Sequence, residues 1–217
     1  MKKQDINIEF PSTWNDLSNN ELKLLSKSIY NDLNAFELAV ELIKNRLDKK
    51  DFKLLKRLPA VKLSEQLSFH LEDFFTDAKL DRMPVTWLTR KDLFQDVTTG
   101  EYEKVIDALE NKKTYLEIIE ILFPKEVKKI SKRPWLQILL MTWIRTSLEA
   151  INASFAELKE GGSGKGIGDL GFTDLIHAGA GERNGTRVEI RETLIWEFLY
   201  DMLLQKRIAD RMTSKNK

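Results

Sequence analysis

From Pro134 onward, apolar residues recur at helical spacing for about 25 residues, with Leu136, Leu139, Trp143, Leu148, Ile151, Phe155 and Leu158 on one broad face. Proline suits the first turn of a helix, where its missing N–H has no partner to lose. At about 1.5 Å of rise per residue the pattern predicts a rod of roughly 40 Å. A helix of that length needs other helices around it to cover its apolar face, so it points to the spine of a bundle.

The rest of the chain supplies shorter pieces of the same kind. Ser18-Asn19-Asn20-Glu21 reads as a capping box, with Leu17 placed to staple onto the first turn. A helix from residue 19 is expected to bury Leu22, Leu25, Ile29 and Leu33, and a second, after Asn34, carries Phe36, Val40, Ile43 and Leu47. Phe52, Leu55 and Leu58 form a short stripe that Pro59 ends, and Ser64 is placed to cap a helix with Leu67, Leu71 and Phe74 inside. Thr98-Thr99-Gly100-Glu101 is a second capping box, followed by Tyr102, Val105, Ile106 and Leu109; a sister helix starts near Thr114. Ile6, Ile8 and Phe10 alternate as in a strand, and residues 83–89 read as an extended segment able to pair with residues 4–10. The expected fold is mostly α, a multi-helix bundle with a minor short β element near the N-terminus.

Nine of the ten glycines fall between Gly161 and Gly185, the one sharp shift of composition in the chain. They divide it into a helical domain over 1–160, a glycine-rich flexible loop over 161–185, and a C-terminal helix with a basic tail over 186–217 that packs on the same core. The last helix is expected from about Thr186 to Arg211, with Val188, Leu194, Ile195, Phe198, Leu199, Met202 and Leu203 on its apolar side.

Several kinds of chemistry are excluded or left without support. The chain has no cysteine, so disulfides, thiolate metal sites and cysteine nucleophiles do not arise. Its two histidines, His70 and His177, have no ligand spacing, and no metal site or cofactor is expected. The run Gly161–Gly166 resembles a phosphate loop, but a Walker motif needs glycine where Lys159 stands and Ser or Thr where Gly166 stands. Gly166-Ile167-Gly168-Asp169-Leu170-Gly171 spells a dinucleotide fingerprint without the strand that must precede it. No catalytic residues are assigned, and the chain is not expected to be an enzyme.

With 35 basic and 34 acidic residues there is no global field that would draw the protein to nucleic acid or an anionic membrane. The basic segments 44–62 and 206–217 are nevertheless the places where phosphates would bind if the protein were a nucleic-acid-associated factor, which is the alternative reading. The most apolar stretch, Trp135–Ile144, is about half of what a bilayer span needs, and the two lysines at the start precede no apolar run like that of a signal peptide. A cytoplasmic location is expected.

The order of features is similar to a known group. An extended start runs into Pro11, Ser12, Trp14, Leu17 and Ser18; mid-chain, Leu93 leads to Thr98 and Gly100-Glu101-Tyr102, and a helix ends in Ile121-Leu122-Phe123-Pro124. A glycine-rich loop then precedes Ala178-Gly179-Ala180-Gly181-Glu182-Arg183. This resembles small helical proteins encoded among the tail genes of phages and prophages of Bacteroidetes-type bacteria, assembly chaperones or minor tail components. The resemblance implies a protein that binds a tape-measure or tube protein, acts in the host cytoplasm or in the virion, and catalyses nothing. The long spine helix and the exposed loop are compatible with a homo-oligomer, and the near-neutral net charge makes nucleic acid an unexpected partner. Trp14, Trp87, Lys165, Phe172, His177 and Arg183 are the residues expected to meet the partner, the tryptophans because they stand at segment ends and the others because they belong to or border the glycine-rich loop.

Overall fold

A computed structural model describes residues 11, 13–30, 35–47, 49–55, 78–159, 172–180 and 185–215. Among them are eleven α-helices and two short 3-10 turns, Trp14–Asp16 and Asp92–Phe94, with one isolated antiparallel bridge between Thr98 and Leu194 and no sheet. The expected multi-helix fold is thus observed. The proposed strand 4–10, the Ser64 helix with His70, and the residues Lys165 and Arg183 lie outside the described residues. Residues 83–89 do not form the extended pairing partner expected of them: the Leu88 amide donates to the Val85 carbonyl at 3.4 Å, turning the chain after Pro84.

Helix α1 (Asn19–Tyr30) starts at the capping box, where the Ser18 amide donates to Glu21 Oε2 at 2.8 Å and the Glu21 amide to Ser18 Oγ at 3.3 Å. Leu17, Leu22 and Leu25 are buried, but Ile29, expected inside, is 38% exposed. The buried stripe instead continues through Ser26 and Ser28, whose hydroxyls donate to the Leu22 and Leu24 carbonyls. Helices α2 (Ala35–Arg46) and α3 (Lys49–Leu55) follow, with Ile43 and Leu55 in a small core of their own around Ala39.

Helices α4 (Thr99–Glu110) and α5 (Tyr115–Leu122) both begin in capping boxes, Thr98 with Glu101 and Thr114 with Glu117. The four-residue α6 (Val127–Ile130) leads to the spine, α7 (Pro134–Ser154), with Pro134 in its first turn. The spine is shorter than its apolar pattern predicts. It stops at Phe155, whose amide still bonds to the Ile151 carbonyl, and a single turn, α8 (Ala156–Lys159), carries Leu158 into the core from a new direction. Both apolar residues are buried, so the helical spacing is satisfied by a bent path.

Part of the glycine-rich stretch is ordered as a helix, α9 (Phe172–Gly179), with Leu175 and Ile176 buried. The expected last helix is two: α10 (Arg187–Glu192) and α11 (Ile195–Lys215). The break is fixed from a distance. The Thr193 carbonyl receives the Thr99 amide at 2.8 Å and the Thr99 hydroxyl at 3.0 Å, and the Ile195 amide donates to the Val97 carbonyl at 3.0 Å. Because the chain turns there, Val188 is 64% exposed rather than on the inner face. Leu136, Leu139 and Trp143 of α7 share one continuous core with Ile190 of α10 and Phe198 and Leu199 of α11.

Candidate functional site

Two surface features stand out once the core is subtracted. The first is built around Trp87. The loop that carries it is anchored by the Leu80 amide donating to Thr146 Oγ1 at 2.9 Å, the Asp81 amide to Asn15 Oδ1 at 3.1 Å, and the Met83 amide to Asp92 Oδ1 at 3.0 Å. Its far end is held by Arg90, which donates to the Leu122 and Asp96 carbonyls and pairs with Glu101 of the α4 capping box. Between these anchors Leu88 is buried and Trp87 is half-buried, with its ring against the core on one side. Over the ring stand Lys129 Nζ, 3.9 Å from the centroid, and the Arg133 guanidinium, 5.5 Å away. Trp135, two residues on, carries Lys23 of α1 at 5.6 Å. A cation over an exposed indole is worth about 0.5–1 kcal/mol, enough to bias the side chain toward one position. Lys125, Lys128 and Lys132 are exposed nearby in sequence, and none of these cations has an ion pair among the described residues.

The second feature is on α11. Tyr200, Leu204 and Met212 are 60%, 51% and 65% exposed, with Ile208 half-buried between them. Their four-residue spacing puts them on one side of the helix, roughly opposite the buried Phe198, Leu199, Met202 and Leu203. Glu197, Arg207 and Arg211 are interleaved with them.

The other residues expected to meet a partner are placed differently. Trp14 is 3% exposed and belongs to the core, because the 3-10 turn at its position folds it inward under α1. Phe172 opens α9 and packs its ring on Tyr102 at 4.7 Å and Phe198 at 6.4 Å, which makes it part of the core's edge. Burial pushes the Tyr102 hydroxyl up to about 12, so it stays protonated as a packing residue. His177 is exposed on α9. The structure therefore brings Phe172 and His177 onto one short helix, leaves Trp87 at the surface and withdraws Trp14.

Three cations in the described parts of the two basic segments are held by carboxylates within the molecule. Arg46 Nε meets Glu21 Oε1 at 2.9 Å and its Nη2 donates to the Asp16 carbonyl; Lys44 pairs with Glu41 at 2.9 Å, and Arg207 with Glu157 at 2.6 Å. The Glu21 carboxyl is pushed up by burial but ends below its usual range, because Arg46 and Ser18 both donate to it. A surface recess of about 350 Å³ lies here, lined by Ser18, Asn20, Glu21, Asn45 and Arg46, and its two charges face each other. The basic run that sequence reasoning missed is 125–133. Its signal was present as five cations between Pro124 and Pro134.

Among the described residues no group of three His, Asp or Glu side chains is placed to hold a metal ion, and no helix is long and apolar enough to cross a membrane. Compared with protein-family models, curated proteins and solved structures, the chain matches none.

Proposed function

We propose that the chain is a non-enzymatic phage or prophage tail protein, an assembly chaperone or structural tail component, that acts in the bacterial host cell by binding other tail proteins. The observation that carries this reading is the apolar stripe Tyr200, Leu204, Ile208 and Met212 on the outer side of α11. A helix already buried on one face that keeps large apolar side chains in water on the other has the form of a helix-in-groove ligand or a helix-pairing surface. The order of sequence features resembling tail-region proteins names the partner class, a tape-measure or tube protein. A nucleic-acid factor working through 44–62 and 206–217 would compete with the carboxylates that hold Lys44, Arg46 and Arg207.

The test is co-expression of the tagged chain with its neighbouring genes, followed by purification and mass spectrometry. A tail tube or tape-measure protein is expected to co-purify in the presence of nuclease. Leu204→Glu with Met212→Glu is expected to reduce that recovery at least about tenfold, since two buried apolar contacts of about 1.5 kcal/mol each are lost. Both side chains are exposed, so the thermal midpoint of the free protein should stay within a few degrees. Recovery of nucleic acid alone, lost on nuclease treatment, overturns the reading.

A further inference from the structure

We infer that the surface formed by Trp87, Lys128, Lys129, Lys132, Arg133 and Lys23 is a docking site for an acidic segment of a partner protein. It is separate from the α11 stripe, and its test does not depend on the identity of any tail protein.

The first argument is charge. Between Pro124 and Pro134 the chain places five cations against one carboxylate, Glu126, a local excess of 5 − 1 = +4 in a protein whose net charge is +1. Elsewhere Arg46, Arg90, Arg191 and Arg207 each stand on a carboxylate. On this surface no ion pair is formed among the described residues. Lysines crowded on a four-residue helix and its flanks repel one another, and an anionic partner removes that repulsion.

The second argument is order. Lys129 and Arg133 both lie on the Trp87 ring, and Lys23 on the Trp135 ring, which restricts side chains that would otherwise lose much rotamer freedom on binding. The ring below is itself fixed by the anchored loop.

The third argument decides the class of partner. A single-stranded nucleic acid binds by stacking its bases on open aromatic faces. Trp87 and Trp135 both pack against the core and both carry a cation, so neither offers an open face. Duplex binding needs positive charge that continues along a phosphate track. Here two of the cations that flank Trp87 on its loop are occupied, Arg82 by Asn19 and the Leu17 carbonyl, Arg90 by Glu101. A compact cluster of five or six cations, most of them within nine residues of one another, fits a short run of carboxylates.

The probe is a fluorescein-labelled peptide of repeated Glu-Glu-Ala triplets, titrated with the full chain at low salt and read by anisotropy. Saturable binding that weakens as salt rises is expected. Lys128→Glu with Lys129→Glu and Lys132→Glu should weaken it by about tenfold or more, each reversed rim charge contributing a factor of about two to five. Trp87→Leu should weaken it by about threefold, because the cations lose their platform. Arg211→Glu, on α11 beyond the other end of the spine, should leave it within about twofold. Circular dichroism checks that each variant is folded, and Lys132→Glu alone gives a milder version of the same test. The inference is overturned if the peptide does not bind at near-millimolar protein, if the triple reversal binds it equally well, or if a DNA duplex of similar length binds more tightly than the peptide.

Discussion

Lys112 holds a left-handed backbone, φ 53°, just past the end of α4. The Lys113 amide reaches back to the Ala108 carbonyl at 2.9 Å and the Lys112 amide to the Leu109 carbonyl at 3.1 Å, the paired bonds that close a helix through an αL residue. Glycine adopts that conformation without the steric cost a Cβ brings, and the Lys112 side chain is exposed, so nothing else is lost by removing it. Lys112→Gly is expected to stabilise the protein by about 0.5–1 kcal/mol, read as a higher urea midpoint at unchanged slope. Leu93 and Phe94 also have positive φ, 50° and 62°, but there the strain is held by tertiary contacts. Trp196 Nε1 donates to the Leu93 carbonyl at 2.8 Å, and the fully buried Phe94 ring meets Trp143 edge-on at 5.0 Å. None of these three positions is legible in the sequence, because lysine, leucine and phenylalanine carry no turn signal. The left-handed conformation is imposed by helix closure in one case and by packing in the other.

Helices α4, α9 and α10 are tied together through one carboxylate. Glu103 of α4 accepts from Arg191 Nε of α10 at 2.7 Å, from Arg191 Nη2 at 3.1 Å, and from the Thr173 hydroxyl of α9 at 2.8 Å. Gly100 lets the helices approach this closely: a Cβ there would stand 3.1 Å from the Arg191 carbonyl oxygen. The Arg191 guanidinium holds the Glu103 carboxyl below its usual range, against burial that pushes it up, with Thr173 helping to lower it. A carboxyl with a depressed folded pKa contributes stability that is fully present above its unfolded value, about 4.3, and is lost as pH falls through the folded value. Glu103→Gln is therefore expected to cost about 1 kcal/mol near neutral pH, and the gap between the two proteins should close as thermal unfolding is repeated down to about pH 3. A gap that stays constant with pH would mean the carboxylate charge plays no part. Which elements exist was readable from side chains a few residues apart: Ser18 with Glu21, Thr98 with Glu101, and Pro134 at a helix start. Where they stop was not. The break at Thr193 depends on bonds from Val97 and Thr99, nearly a hundred residues away, and the bend at Phe155 leaves the apolar spacing unchanged.

Charge neutralisation is likewise a property of the whole molecule. Density of lysine and arginine drew attention to 44–62 and 206–217, yet folding sets Arg46 and Arg207 on carboxylates 25 and 50 residues away and leaves 125–133 unpaired. Trp87 stands beside Pro84 as Trp14 stands beside Pro11, and that placement does not distinguish a core plug from an interface anchor: Trp14 is buried and Trp87 half-buried, and neither this difference nor the cations above Trp87 were legible. The same long-range logic governs the C-terminal segment, whose apolar side predicts packing on the core but not which residues it meets there. Ile190, Ile195, Phe198, Leu199, Met202 and Leu203 are all at most 7% exposed and lie in the core that contains the spine. Burying each is worth about 1.5–3 kcal/mol, so together they contribute on the order of 10 kcal/mol, comparable to the entire stability of a typical domain. A chain ending at residue 184 is thus expected to lose its cooperative melt and near-ultraviolet tryptophan signal and to bind a hydrophobic dye, while keeping helical content. A truncated chain that still melts cooperatively would show that the first 184 residues fold without α10 and α11. Restoration of the tryptophan signal on adding a peptide of residues 185–217 would show the opposite, that the two parts complete one core.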